Sequence, residues 1–186
     1  MDQSDSVVQL LDSNGSFTND SLFTSTLKES ELIGFYRDMV LVRAIDEQAT
    51  ALQRQGELGL WAPLLGQEAA QIGSARAMKK QDFAFSTYRE HGVAWCRGVD
   101  PVDMLSFWRG TKHQGWDANQ YRSYGYQIII GAHALHATGY AMGAYLSRNT
   151  ETGDAGIDQA VMAYFGDGAM SEGDVNHATK VQQFYD

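Results

Sequence analysis

The chain has 186 residues, of which 44% are hydrophobic and 20% are charged. This length and composition are ordinary for one globular domain with a real core. A formal net charge of −9 at pH 7 argues against a nucleic acid or an anionic membrane surface as partner. The single cysteine, Cys96, excludes an internal disulfide, and its apolar neighbours predict a buried, unreactive thiol.

The first part of the chain differs in composition from the rest. Residues 1–26 are polar and rich in Ser, Asp and Asn, which predicts an extended arm with a turn at Asn14 and Gly15. Such an arm packs on a partner chain or stays disordered, and both alternatives are open. Residues 27–186 form the globular part, and we take them as a single domain.

No apolar stretch reaches the ~18 residues of a membrane span. The first basic residue is Lys28, which fits neither a secretory signal nor an arginine-rich transit peptide. We therefore expect a cytoplasmic protein of bacterial type.

Apolar residues at helical spacing predict a long first helix from Leu27 to Gln55, which Gly56 ends. Shorter helices and strands follow. We predict helices at 67–78, 101–108 and 132–146, and strands at 83–87 and 160–165. A polar, aromatic loop is predicted at 110–126 and an exposed acidic loop at 150–159. The run from Ile128 to Ile130 predicts a buried strand or a tight apolar turn. Helices that alternate with short apolar strands indicate an α/β fold with a parallel sheet.

The segment after the last predicted strand carries the most chemical information. Gly166 and Gly168 flank Asp167, and glycines let the backbone approach a ligand closely and tolerate positive φ. Ser171 and Glu172 then open a predicted helix, whose free N–H groups suit an anion. A carboxylate beside phosphate oxygens is a usual Mg²⁺ site. For the isolated tripeptide, an ordinary turn without a ligand is the more common structure.

Five ordered stretches resemble the alpha chain of the decarboxylating dehydrogenase component of 2-oxo acid dehydrogenase complexes. They run in the family's order from about residue 30 to the end of the chain. They are LQRQG at 52–56, PLLGQEA at 63–69, STYREHG at 86–92, IGA at 130–132 with LHATG at 135–139, and FGDGAMSEGD at 165–174. The last stretch resembles the start of the motif that binds thiamine diphosphate.

This resemblance implies a thiamine diphosphate-binding fold, with a parallel sheet flanked by helices, and assigns roles to individual residues. Asp167 would bind Mg²⁺, and Gly166, Gly168 and Ala169 would lie against the diphosphate, the last two through their N–H groups. Arg89 would pair with diphosphate oxygens, since a planar guanidinium offers two parallel donors. A surface ion pair with a neighbour such as Glu90 is the alternative for Arg89.

The resemblance implies further cofactor contacts around these residues. Tyr88 would lie beside the diphosphate site, and Ile128 and Ile130 would line the aminopyrimidine. His91 would border the substrate channel in a catalytic role, and a structural, hydrogen-bonded histidine is an equal alternative.

Two further histidines lie three residues apart on one helix face. A zinc site at His133 and His136 is improbable, because no carboxylate or further histidine lies nearby in sequence. Relatives usually have Gln where this chain has His133, so the ion-binding or hydrogen-bonding role of that position is open.

The family's activity is oxidative decarboxylation of a 2-oxo acid, with transfer of the acyl unit to a lipoyl group. The stretches LQRQG and YFGDGAMSEGD favour branched-chain 2-oxo acids slightly over pyruvate. The implied partners are a beta chain, in an α2β2 assembly that supplies the activating Glu, and a lipoyl-bearing transacylase core.

The end of the chain departs from the family's pattern. The paired Asn of the motif and the loop His of relatives are absent, and His177 stands where Glu is usual. We therefore expect the N-terminal portion of such an alpha chain, which is inactive without the rest of its site. The alternative is a truncated, non-catalytic subunit that binds only a partner chain.

Overall fold

The structure is a computed structural model, and it describes residues 9, 11–16, 18 and 27–182. Seven α-helices, two β-strands and one 3-10 helix are found in that part of the chain. The helices are α1 (Glu29–Arg54), α2 (Glu68–Ala77), α3 (His91–Cys96), α4 (Pro101–Trp108), α5 (Ala118–Tyr121), α6 (Ala132–Leu146) and α7 (Gly173–Gln182). The strands are β1 (Phe83–Phe85) and β2 (Val161–Ala163), and the 3-10 helix is Asp167–Ser171. None of the described helices is both long and apolar enough to cross a bilayer.

The described residues near the N-terminus contain the predicted turn. The Asp12 carboxylate accepts hydrogen bonds from the N–H groups of Asn14 and Ser16, both over 2.8 Å. Gly15 completes the turn with a φ of +80°, which a residue with a Cβ rarely adopts. The turn is confirmed, while most of the predicted arm at 1–26 lies outside the described residues. The division between 26 and 27 stays a prediction.

The C-terminal end of α1 follows from local sequence. The N–H of Gly56 donates to the Gln53 carbonyl over 3.0 Å, and the N–H of Glu57 donates to the Leu52 carbonyl over 3.0 Å. Gly56 has a φ of +79°, so the pattern is a Schellman motif that uses a glycine to satisfy the last carbonyls. The predicted end of the first helix at Gly56 is confirmed.

Strands β1 and β2 pair in parallel, with Phe83 opposite Val161 and Phe85 opposite Ala163. A third segment joins on the other side of β1, where Ala84 forms an isolated parallel bridge with Ser123. Helices lie on both faces, and the alternation of side chains along β1 explains the arrangement. The α/β fold with a parallel sheet is therefore confirmed in this small form.

Each face of β1 packs against a different helix layer. Phe83 and Phe85 form one buried cluster with Ala137 of α6. Ala84 points to the other face, where it packs with Ala75 of α2 and Val93 of α3. The sheet is thus a middle layer between α6 and the pair of helices α2 and α3.

The structure corrects two predicted burial patterns. Ile128, Ile129 and Ile130 form no buried strand, and the three residues are 53%, 74% and 51% exposed. The alternative of a tight turn is the one found, since the Ala132 N–H donates to the Ile129 carbonyl over 3.3 Å, but the turn is exposed. The strand predicted at 160–165 is shorter, at Val161–Ala163, and only half-buried. An apolar run in the sequence shows only that its side chains are hydrophobic. Burial also requires a neighbouring element that packs on them, and in the described part of the chain few residues pack on these positions.

Two helices were not predicted. The chain forms α3 two residues after Arg89, and α5 lies inside the predicted loop at 110–126. Asp117 caps the N-terminus of helix α5, and its carboxylate accepts from the Asn119 N–H over 2.8 Å. Both helices are short, and short helices depend on caps and packing more than on periodicity.

Asp46 anchors the loop between α1 and α2. It is buried, and its Oδ1 accepts from the Trp61 indole N–H over 2.8 Å and from the Leu64 N–H over 2.9 Å. These bonds tie the loop before α2 to α1.

We predict that Asp46→Ala lowers the free energy of unfolding by about 2 kcal/mol, because two buried donors lose their acceptor. Asp46→Asn retains an acceptor oxygen and should cost less. Urea unfolding monitored by tryptophan fluorescence measures both variants. Glu47→Ala, which removes the next carboxylate on an exposed position of the same helix, is the control, with an expected change within about 0.5 kcal/mol. Equal effects of Asp46→Ala and Glu47→Ala would contradict the anchoring role.

Candidate functional site

A cavity of about 290 Å³ lies beyond the C-terminal ends of β1 and β2. In a parallel sheet these ends lie at one edge, so the loops that follow the strands meet there. The cavity is lined by Gln67, Thr87, Tyr88, Arg89, Glu90, Ile130, Gly131, Phe165, Gly166, Asp167, Gly168 and Ala169.

Seven of the nine predicted site residues line this single cavity. They are Tyr88, Arg89, Ile130, Gly166, Asp167, Gly168 and Ala169. They come from three separate loops, and the sheet brings these loops together. Ile128 and His91 are not among the lining residues. Ile128 lies two residues before the lining residue Ile130, in the same exposed loop.

The Gly-Asp-Gly segment enters the cavity from β2. Asp167 begins the 3-10 helix, and α7 begins at Gly173, so the predicted helix start at Ser171 is replaced by two consecutive helices. The Ala169 N–H donates to the Gly166 carbonyl over 3.0 Å, so the turn is closed by its own backbone. This bond uses the N–H that the resemblance assigned to a diphosphate contact.

The two glycines beside Asp167 provide space and not unusual backbone angles. Neither Gly166 nor Gly168 has a positive φ, which corrects that part of the sequence argument. A Cβ built on either glycine has no atom within 4 Å. Both residues therefore border open volume, which leaves the backbone accessible to a bulky ligand.

Asp167 presents an available carboxylate to the cavity. Its side chain is exposed, and it makes no hydrogen bond or ion pair with any residue that the structure describes. No group of three or more His, Cys, Asp or Glu side chains that could hold a metal occurs in the described ranges. A cation at Asp167 would therefore complete its shell with water, with a bound anion or with ligands from elsewhere.

Arg89 is the cationic group of the cavity. One guanidinium N–H group donates to the Pro63 carbonyl, and the guanidinium carbon lies 5.7 Å from the centroid of the Tyr88 ring. Within the described residues Arg89 forms no ion pair. Because the guanidinium carries five donors, most of them stay available for an anion.

Glu90 is not the ion-pair partner of Arg89. Its Oε2 accepts from the Thr87 N–H over 2.7 Å and from the Thr87 hydroxyl over 2.6 Å. These bonds close a tight loop over residues 87–90, with Tyr88 and Arg89 at its tip. The geometry therefore argues against the ion-pair alternative.

Gly131 was not singled out from the sequence, although it shapes one wall. Its φ is +80°, and a Cβ there would lie 3.2 Å from both Glu172 Cβ and Val175 Cγ2. The positive φ favours a glycine, and a Cβ would also press on the start of α7, against which the loop before α6 lies. This contact sets Ile130 at the cavity. A glycine one residue before a predicted helix was the available signal.

His91 lies behind the cavity and not in it. The buried ring stacks on Trp61 with centroids 4.0 Å apart. Nε2 lies 2.8 Å from the Ala62 carbonyl, and Nδ1 lies 2.6 Å from the Tyr126 hydroxyl. A carbonyl only accepts, so Nε2 carries the proton and Nδ1 accepts from Tyr126. This geometry favours the structural alternative, and a contact of His91 with substrate stays a prediction.

His133 is also buried, and it supports the segment that leads to Asp167. Its Nε2 donates to the Tyr164 carbonyl over 2.6 Å, and burial lowers the pKa of the imidazole. Nδ1 has no partner among the described residues. His136, three residues further on, is exposed.

The thiol of Cys96 is half-buried. Burial raises its pKa to about 11, so the thiolate is scarce at neutral pH. The predicted low reactivity of this cysteine agrees with its position.

These features define an α/β protein with a cavity at the carboxyl edge of a parallel sheet, lined by an arginine and an aspartate that do not pair. The chain belongs to the dehydrogenase E1 component family, whose model matches residues 36–186. It is 41% identical over 171 residues to the 3-methyl-2-oxobutanoate dehydrogenase subunit alpha of Mycobacterium tuberculosis. It is 33% identical over 168 residues to the pyruvate dehydrogenase E1 component subunit alpha of Staphylococcus aureus. The family assignment made from the sequence is confirmed.

The matched regions cover most of this chain and less than half of each relative. The match covers 92% of this chain and 44% of the Mycobacterium tuberculosis protein. For the Staphylococcus aureus protein the shares are 90% and 43%. The chain therefore spans less than half the length of these curated relatives.

The burial of His91 predicts a dependence of stability on pH. Desolvation lowers the pKa of His91 from 6.5 to about 4. Between these values the unfolded chain binds a proton that the folded chain does not, so the free energy of unfolding falls as the pH is lowered. The total loss is about 3 kcal/mol, at about 1.4 kcal/mol per pKa unit.

Urea unfolding at a series of pH values from 7 to 4 measures this effect. We predict that His91→Gln lowers the slope of the free energy of unfolding against pH in that window. The slope should fall by the contribution of about one bound proton, because the titrating group is gone. His133 contributes to the slope in both proteins and does not affect the difference. An unchanged slope in His91→Gln would contradict the buried, neutral state of His91.

Proposed function

We propose that the chain is part of an alpha subunit that binds thiamine diphosphate and Mg²⁺ in the cavity at the ends of β1 and β2. One observation carries the proposal. The cavity brings together a guanidinium, Arg89, and a carboxylate, Asp167, which form no ion pair with each other. Opposite charges that share a cavity without pairing fit a ligand that carries both a negative group and a bound cation.

The residues present fit this cofactor by their chemistry. Arg89 offers unused donors for phosphate oxygens, and Asp167 offers carboxylate oxygens, which Mg²⁺ prefers. Open space beside Gly166 and Gly168 leaves room for the bulky diphosphate. Thiamine diphosphate, when bound, supplies the electron sink for decarboxylation of a 2-oxo acid.

The residues of this chain would bind and orient the cofactor. Arg89 holds the diphosphate end, with Tyr88 beside it, and Asp167 holds the cation. Ile130 and Phe165 form an apolar part of the wall, which reduces the access of water to the cavity. Ile128 would reach the cofactor from the same loop as Ile130.

The proposed reaction is oxidative decarboxylation of a 2-oxo acid with transfer of the acyl unit to a lipoyl group. The relative named for 3-methyl-2-oxobutanoate is 41% identical and the relative named for pyruvate is 33% identical, which supports a branched-chain substrate slightly. The proposed partners are a beta subunit, in an α2β2 assembly, and a lipoyl-bearing transacylase core. We place this activity in the cytoplasm of a bacterium.

Calorimetric titration tests the proposal directly. Thiamine diphosphate is titrated into the chain in the presence and absence of Mg²⁺, with and without a beta subunit. The expected result is binding that requires Mg²⁺ and is strengthened by the beta subunit. Absence of binding under all four conditions would exclude the proposed cofactor.

For the cation, we predict that Asp167→Asn removes most of the Mg²⁺ dependence of cofactor binding. The variant retains the shape of the turn and loses the anionic ligand. Calorimetry over a range of Mg²⁺ concentrations measures the change. Asp174→Asn, an equal loss of charge on an exposed position of α7, should retain the wild-type dependence. The idea fails if Asp167→Asn retains it as well.

For the diphosphate, we predict that Arg89→Lys weakens thiamine diphosphate binding by about 1–3 kcal/mol, the range for a charged hydrogen bond. A lysine retains the charge and loses the planar pair of donors. The same titration, at saturating Mg²⁺, measures the affinity. Arg109→Lys is the matched control, since Arg109 is exposed and pairs with Glu57. Unchanged affinity in Arg89→Lys would show that the guanidinium does not bind the diphosphate.

A further inference from the structure

The turn that carries Arg89 is held from behind by one buried side chain, Gln71 of α2. Its Nε2 donates to the Arg89 carbonyl over 3.1 Å, and its Oε1 accepts from the Gly92 N–H over 2.9 Å. A carbonyl can only accept and an N–H can only donate, so these two bonds fix the orientation of the amide. The amide nitrogen also donates to Gln67 Oε1 over 3.1 Å. Gln71 therefore binds the turn on both sides.

The absence of a Cβ at Gly92 leaves room for the Gln71 side chain. A Cβ at Gly92 would lie 3.0 Å from Gln71 Oε1, 3.2 Å from Gln71 Cβ and 3.3 Å from Ile72 Cδ1. Gly92 lies in α3, where alanine has the higher helix propensity. The glycine therefore serves the close approach of α2, which brings the amide within hydrogen-bond distance of the turn.

Gln71 does not line the cavity, whereas Arg89 does. Among the described residues the Arg89 side chain has one hydrogen bond, to the Pro63 carbonyl, so its placement depends on the backbone that carries it. We propose that Gln71 is a positioning residue, which sets the Arg89 guanidinium for the diphosphate and does not touch the ligand. This inference rests on the function proposed above. Displacements of ~1 Å in such a group can cost ~100-fold in rate.

Hydrogen exchange of the ligand-free chain tests the clamp itself. Gln71→Met retains the length of the side chain and removes all three hydrogen bonds. We expect the N–H groups of residues 88–92 to exchange about tenfold faster than in the wild type, while those of β1 change less. Val42→Ala, which loosens a buried position of α1, is the control. In that variant the exchange rates of the turn should not rise more than those of β1. An unchanged turn in Gln71→Met overturns the inference.

A double-mutant cycle tests whether the clamp acts through Arg89. Thiamine diphosphate is titrated, with Mg²⁺, into the wild type, Gln71→Met, Arg89→Ala and the double variant. We expect Gln71→Met to weaken binding about tenfold in the wild-type background and by about threefold or less beside Arg89→Ala, because the group it positions is absent. A residue that only stabilises the fold would give equal losses in both backgrounds, and that result overturns the inference.

The two experiments separate this inference from the proposed function. If the wild-type chain binds no thiamine diphosphate with Mg²⁺, the proposed function fails and hydrogen exchange alone decides the role of Gln71. If Gln71→Met does not fold, Gly92→Ala replaces it in both experiments, since its Cβ displaces the amide without changing its chemistry. A selectively faster turn in that variant upholds the inference, and a turn that exchanges as in the wild type overturns it.

Discussion

The parallel pairing of β1 with β2 is the constraint on which the site depends. Because the strands run in the same direction, the loop after Phe85 and the loop after Ala163 leave the sheet at one edge. The first loop carries Arg89 and the second carries Asp167, which lie more than seventy residues apart in sequence. A slip of one residue in the register would turn the aromatic residues of β1 away from α6 and separate the two loops.

The residues that support the Arg89 turn and the polar groups that the cavity presents to a ligand have opposite properties. Gln71, Glu90 and His91 are buried and hydrogen-bonded, and they hold the Arg89 turn and the wall behind it. Asp167 and Arg89 are more accessible and retain unused donors or acceptors. Rigid support beneath accessible polar groups is the arrangement that a binding site needs, because little conformational freedom is then lost when a ligand arrives.

Capping residues and glycines in the sequence predicted the helix ends that neighbouring residues determine. The bounds 101–108 and 132–146 agree with α4 and α6, since Pro101 follows a capping Asp100 and Gly131 precedes the small-residue helix. The exposure of Ile128 to Ile130 and the clamp by Gln71 could not be predicted in this way. Both depend on which sequence-distant segment packs against these residues, and a single sequence does not contain that information.

The backbone position of Asp167 and the availability of its carboxylate depend on different groups. Tyr164, two residues before Gly166, is held at three points. Its N–H donates to the Phe85 carbonyl over 2.9 Å, its carbonyl accepts from His133 over 2.6 Å, and its hydroxyl donates to Ser74 over 3.0 Å. The backbone is therefore fixed just ahead of Asp167, while the carboxylate itself has no partner among the described residues. His133 therefore supports the position of the carboxylate through the backbone of residues 164–167, although the two side chains share no bond.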